Sequence, residues 1–207
     1  MTTAQTTSAA ARPAVSRPLP HVLSGSRSPS WWAMLLVILN ESIIFAALLT
    51  SYFYVRLNLP AWPPDGMKRP ELVIPLINTA LLVSSSFVMQ WAQGGIRRGR
   101  QGRLRLGMII ALLLAGSFLA LQIYEYGRSE FSPQTNVYGS LFFTITGIHG
   151  LHVLVMILIS SVVLVRALLG HFTAERHLAV ENAVLYWHFV DVVWLFILAS
   201  VYLSPYV

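Results

Sequence analysis

The sequence predicts an all-α integral membrane protein, a bundle of five transmembrane helices. Three observations carry that reading. The 207 residues are 56% hydrophobic and only 11% charged, less than half the charge of about 25% that an ordinary soluble domain carries. The mean hydropathy is +0.64. Apolar runs of about 20 residues, the length a hydrocarbon core demands, recur along the chain.

Residues 1–30 stand apart. They are rich in Ala, Ser and Thr, hold Pro13, Pro18, Pro20 and Pro29 between Arg12, Arg17 and Arg27, and contain no acid. Such a segment has nothing to bury and cannot offset its ordering entropy, so it reads as a flexible tail. An acid-free Arg/Ser-rich start also resembles an organellar transit peptide. The first apolar helix is expected over about 31–57, broken only by Asn40 and Glu41. The second runs over about 71–93, with Pro75 in its opening turns, where a missing N–H costs least. The third is expected over about 104–126. The fourth, about 137–166, would be roughly 45 Å long at 1.5 Å per residue, so it tilts or projects beyond the bilayer. The fifth covers about 177–202, and residues 31–207 form one membrane domain.

Orientation follows from the basic residues. Arg97, Arg98, Arg100, Arg103 and Arg105 in the second connection form the densest positive cluster, which belongs in the cytoplasm. Alternation then places the tail inside, with Arg12, Arg17 and Arg27, together with Arg166 and Arg176. Arg56, Lys68, Arg69 and Arg128 remain outside, and the C-terminus faces outward. The net charge of +6 thus serves topology and anionic headgroups, and no nucleic-acid partner is needed to explain it. The chain has no cysteine. Disulfides, thiolate zinc sites, iron–sulfur clusters, c-type haem attachment and thiolate-bridged copper are therefore excluded.

Ionisable residues inside a bilayer are costly, so each is a candidate functional site. Glu41 lies about ten residues into its helix, near the midplane. A carboxyl without a partner there stays protonated. It is either a carboxyl on a proton or substrate path or a neutral acid hydrogen-bonded to a neighbouring helix. His149 and His152 are spaced i, i+3 on the fourth helix, where Gly147 and Gly150 would let a partner helix approach closely. His188 and Asp191 share that spacing on the fifth, with Glu181 two turns earlier. Antiparallel packing of these helices would put Asp191 level with one of the two histidines. A hydrogen-bonded network across that interface outweighs a haem or metal site, because neighbouring i, i+3 residues point at one spot. Ferritin-like di-metal sites also need Glu-x-x-His pairs on two helices, and none occurs.

His177 and Glu181 supply at most half of a zinc site. Arg166 and His171 flank the inner end of the fourth helix, either snorkelling or holding a phospholipid headgroup. Trp31 and Trp32 at one boundary and Tyr202 and Tyr206 at the other read as interface anchors. Glu125 and Glu130 near the outer boundary are expected to be solvated. His-Glu-x-x-His, Gly-x-Ser-x-Gly and phosphate-cradling glycine loops are all missing from the sequence. So are the paired, interrupted spans in two related halves that mark many transporters.

Several stretches, in order, carry a family resemblance: Asn40-Glu41-Ser42, Trp62-Pro63-Pro64, Pro75-Leu76-Ile77-Asn78-Thr79, and Leu121-Gln122 with Glu125-Tyr126. Tyr138-Gly139-Ser140 follows, then Thr146-Gly147-Ile148-His149-Gly150-Leu151-His152-Val153, then His171-Phe172-Thr173. The last is Glu181 with Tyr186-Trp187-His188-Phe189-Val190-Asp191-Val192-Val193-Trp194-Leu195-Phe196. Over about residues 31–204 the chain resembles subunit III of haem-copper terminal oxidases, cytochrome c oxidase above all. The resemblance implies a subunit with no redox centre or active site of its own. It would sit in a complex that reduces oxygen to water and pumps protons, with haem and copper on partner subunits I and II. It also implies bound phospholipid and a role in sustaining subunit I, oxygen access and proton uptake, with room for further respiratory-complex subunits.

Glu41 matches the family's buried helix carboxylate near a lipid cleft and a proposed oxygen route. Arg166 and His171 match headgroup contacts, and His149, His152, Glu181, His188 and Asp191 match signature positions that look structural. Many members have seven helices, and the first two, which wall the lipid cleft, have no counterpart in this sequence. Five-helix members also accompany haem-copper quinol oxidases, and a related small protein accompanies nitric-oxide reductases. The family reading favours a bacterial plasma membrane and a cytoplasmic tail over a transit peptide.

Overall fold

In a computed structural model of the chain, residues 28–64 and 70–206 are described. Most of the tail expected over residues 1–30, and the basic residues Lys68 and Arg69, lie outside them. Five helices form: α1 (Pro29–Asn58), α2 (Val73–Ile96), α3 (Gln101–Arg128), α4 (Val137–Leu168) and α5 (Leu178–Ile197). α5 continues through a wider π-helical turn, Leu198–Leu203, into the 3₁₀ turn Ser204–Tyr206. All five are long and apolar enough to cross a membrane.

The helix ends are set by local chemistry. Ser28 belongs to the helix start rather than to a tail: its side chain accepts from the Trp31 N–H at 3.2 Å, ahead of Pro29 in the first turn. Asn136 caps α4 in the same way, accepting from the Gly139 N–H at 2.9 Å. At their C-terminal ends α2 and α4 reverse through Gly99 (φ 71°) and Gly170 (φ 77°). In each case the next N–H bonds back five residues, Arg100 to the Gly95 carbonyl and His171 to that of Arg166, both at 3.0 Å. Only glycine adopts that left-handed turn without strain.

The positive cluster is not one loop. α3 begins at Gln101, so Arg103 and Arg105 stand in its first turns. The Arg103 guanidinium lies 4.4 Å from the centroid of the Trp91 ring. Arg105 donates from Nε to the Ala167 carbonyl at 3.0 Å, and Gln101 donates to the Phe172 carbonyl at 3.1 Å. The start of α3 is thereby tied to the end of α4 and to the connection that follows it.

α5 is the hub. α1, α2 and α4 pack against it, while α3 bridges α2 and α4. α2 and α3 approach closely at Gly107, where an added Cβ would come within 2.6 Å of the Ala92 Cβ. The expected close crossing at Gly147 and Gly150 is not formed. A Cβ there would meet only the Tyr126 hydroxyl at 3.9 Å or Leu119 at 3.8 Å, ordinary contact distances.

α2 and α5 run antiparallel in a register fixed by polar contacts. The Trp187 indole donates to Ser85 at 2.9 Å, and the Trp194 indole to Thr79 at 2.9 Å. At the end opposite the arginines, Trp62 donates to the Tyr52 hydroxyl at 2.8 Å, and Arg56 to the Ser204 carbonyl at 2.8 Å. Tyr206 donates to the Pro70 carbonyl at 2.8 Å. Tyr202, expected as an interface anchor, is instead fully buried. The wide turn of Leu198–Leu203 carries it inward against Phe142 and Trp194.

Candidate functional site

Glu41 stands in the middle of α1, and its partner is His152 on α4, Nε2 to Oε2 at 2.9 Å. The other ring nitrogen, Nδ1, lies 2.7 Å from the Ile148 carbonyl oxygen. A carbonyl only accepts, so Nδ1 carries the hydrogen. One proton is then shared across the Glu41–His152 contact. Either a neutral carboxyl donates to a neutral imidazole, or an imidazolium donates to a carboxylate. Both arrangements have zero net charge, which removes the cost of an isolated ion in hydrocarbon. Of the two arrangements the sequence left open, a carboxyl on a path or one hydrogen-bonded to a neighbouring helix, Glu41 has a neighbouring-helix partner, and that partner is a histidine.

Asp191 obeys the same logic through a third residue. Ser86 of α2 hydrogen-bonds both Asp191 Oδ2 and His188 Nδ1, the latter at 2.9 Å. His188 Nε2 lies 3.1 Å from the Gln90 amide oxygen, an acceptor, so Nε2 carries a hydrogen. The single Ser86 hydrogen then points one way or the other. It goes to His188 when the Asp191 carboxyl is neutral, and to Asp191 when His188 is an imidazolium. The triad is neutral overall in both states, and one proton can shift along it. Neither this group nor the Glu41 pair can lose its shared proton without breaking a hydrogen bond.

The network expected between α4 and α5 is therefore not one network. His152 turns to α1, while His188 and Asp191 turn to α2. His149 joins neither group. It is fully buried, stacked on Trp194 at 5.2 Å between ring centroids and flanked by Phe45 and Phe118. Neither of its ring nitrogens has a hydrogen-bond partner among the described residues. The i, i+3 spacing of His149 and His152 places them one turn apart, but the slight rotation between them aims one at α5 and the other at α1. Periodicity along one helix does not say which neighbour each residue meets.

Glu181 also sits apart, at the arginine-rich end of the bundle. Its Oε1 receives Arg97 at 3.3 Å and His177 at 3.2 Å. The two candidate zinc ligands thus share their contact oxygen with a guanidinium. Among the described residues, no three of His, Asp and Glu stand close enough to hold a metal ion. Arg166 and His171 are both exposed at the end of α4, with the Arg166 guanidinium 5.2 Å from the centroid of the Phe172 ring.

One polar cluster escaped the sequence reading. Glu125 is not simply solvated: it accepts from Gln122 at 3.0 Å and from the Tyr202 hydroxyl at 3.2 Å. Tyr126 beside it donates to Thr146 on α4 at 2.7 Å. The available signal was Gln122, an uncharged polar residue on the apolar stretch of α3, one turn before Glu125. Ser86 and Gln90 were missed for a similar reason, since serine and glutamine on a helix identify no partner by themselves.

Comparison with known proteins adds what geometry alone does not. A family model for cytochrome c oxidase subunit III matches residues 23–206. Cytochrome c oxidase subunit 3 of Synechocystis is 42% identical over 173 residues, covering 83% of this chain and 74% of its own length. The Coturnix japonica protein of that name is 37% identical over 88% of this chain and 71% of its own. The one from Drosophila melanogaster is 38% identical over 83% of this chain and 68% of its own. With that match over most of its length and these relatives, the chain, whose five helices are long and apolar enough to cross a membrane, belongs to the cytochrome c oxidase subunit III family.

Proposed function

We propose that this chain is the redox-silent subunit III of a bacterial haem-copper oxidase that takes electrons from cytochrome c, reduces oxygen to water and pumps protons. It sits in the plasma membrane with the arginine-rich end in the cytoplasm. Subunits I and II carry the haem and copper. The chain has no active site of its own: it holds phospholipid, supports subunit I and sustains proton uptake. The family match over residues 23–206 is the observation that carries this reading. The internal neutrality of Glu41 with His152, and of Asp191 with Ser86 and His188, supports it, because such groups add polar contacts between helices without storing charge. Glu41 on α1 is the lipid or oxygen-cleft carboxyl, and Arg166 and His171 hold a headgroup at the end of α4.

The experiment is purification of the intact complex, identification of its chains by mass spectrometry, and its haem spectrum. Subunits I and II of a cytochrome c oxidase are expected, with stoichiometric haem that remains when this chain is stripped away. The stripped enzyme should start at nearly full turnover and then inactivate after fewer cycles. Haem that leaves with this chain overturns the redox-silent role. A quinol oxidase or nitric-oxide reductase among the partners overturns the choice of electron donor.

A further inference from the structure

Between the start of α1, the end of α2 and the start of α5 lies an open cavity of about 370 Å³. α1 and α2 both pack on α5 without closing on one another, so the cavity is a gap with α5 as its floor. It lies apart from the groups already described as lipid candidates. Glu41 turns to α4, and Arg166 and His171 lie beside the start of α3.

The lining is graded. Arg97, Glu181 and Trp31 stand at the mouth, at the helix ends and hence at headgroup level. Gln93 lies about one turn deeper, roughly 6 Å, and Gln90 about one turn deeper again. Val184 and Leu185 supply an apolar wall. Two features point to a ligand. The Gln93 side chain is only 6% exposed, lines the cavity, and makes no hydrogen bond among the described residues. Gln90 receives His188 on its oxygen, which leaves its NH₂ group to donate. Two amide donors therefore stand in line below a guanidinium.

The charge at the mouth selects the ligand's sign. Glu181 is already engaged by Arg97 and His177, whereas the Arg97 side chain remains 55% exposed. Arg98 and Arg100 are exposed on the same connection. The balance is positive and favours an anion. Donors at headgroup depth above an apolar wall fit an amphiphile better than a free ion.

We propose that this cavity binds one anionic phospholipid. Arg97 and Gln93 hold its phosphodiester, Gln90 donates to an ester carbonyl, and an acyl chain lies along Leu185 in the gap between α1 and α2. No covalent step is involved, and the site adds a lipid on a different face from the one read at Glu41.

The test uses the intact complex in phosphatidylcholine vesicles doped with a phosphatidylglycerol that carries a photoreactive group near its glycerol. Labelling is expected on the peptides spanning residues 90–97 and 181–188. Arg97→Gln should label about fivefold less, corresponding to the ~1 kcal/mol that one basic residue contributes at a bilayer surface. Arg98→Gln should keep most of the label on those peptides. Leu185→Trp fills the apolar wall without altering charge and should also lose the label. Equal labelling by a photoreactive phosphatidylcholine overturns the proposal, as does suppression by inorganic phosphate, which would mark a free-anion site. Undiminished labelling of Leu185→Trp overturns it as well. If Arg97→Gln fails to assemble, the headgroup comparison on the unsubstituted complex and the Leu185→Trp complex decide.

Discussion

α5 and α1 are both membrane helices of similar apolarity, yet they are held in opposite ways. In the most apolar stretch of α5 and its continuation, Leu178–Tyr206, 61% of residues are buried, against 6% for α1. α5 is packed on several sides, with Trp187, Trp194, Val190 and Ile197 at or near zero exposure. α1 buries only Phe45 and Tyr52 and is fastened at three levels by polar contacts. Ser30 accepts from Asn182 at 3.0 Å, Glu41 meets His152 at 2.9 Å, and Arg56 reaches the Ser204 carbonyl at 2.8 Å. The difference teaches that apolarity says little about position in a membrane bundle. Lipid tails are as apolar as leucine, so packing and hydrogen bonds decide which helix is central.

The largest effect should come from emptying the hub. Trp194→Ala removes a buried indole, its bond to Thr79 and the stacking surface of His149. It should destabilise the subunit by about 3–5 kcal/mol, read as loss of this chain from the purified complex. If α5 were merely one helix among equals, Trp194→Ala and Phe53→Ala on exposed α1 would cost the same.

The next effect is at the triad. Asp191→Leu removes the Asp191–Ser86 hydrogen bond, leaving Ser86 to donate to His188, and should cost about 1–3 kcal/mol. It should lower the thermal stability of the complex while initial turnover per assembled enzyme stays near normal. Normal assembly with selectively lost proton pumping would instead make the triad a proton route.

Glu41 gives a sharper contrast. Glu41→Leu strands His152 Nε2 and should cost about 1 kcal/mol, within the range of intrabilayer hydrogen bonds. Glu41→Gln keeps a donor for that nitrogen and should be nearly silent in stability and in initial turnover. Equal losses in the two variants would show that the charge, not the hydrogen bond, matters.

Smallest should be Arg56→Ala, at about 0.5 kcal/mol or less for an interaction at the boundary. Hydrogen exchange should register it as faster opening at the end of α1, with α5 unchanged.

Much of this was legible beforehand because its causes are local. Hydrophobic runs longer than a bilayer is thick gave the five spans. The caps at Asn136, Gly99 and Gly170 were not singled out in the sequence, although their geometry is a property of a few adjacent residues. Even the extra helical turns at Arg103 and Arg105 have a non-local reason, however. Arginines drawn as a loop become helical because Trp91 and the end of α4 give them partners.

The sequence by itself determined the class, the number of spans, the set of intramembrane acids and histidines, and, through its signature stretches, the family. Tertiary structure alone decided the pairing. His149 and His152 look equivalent at i, i+3, yet one is buried and stacked on Trp194 and the other bridges to Glu41 across 111 positions of chain. Asp191 found Ser86, an unremarkable serine, rather than a histidine on α4. A helix fixes the direction of each side chain relative to its own axis only. Which neighbour fills that direction depends on the rotation and order of the helices, and those are set by contacts among residues far apart in sequence.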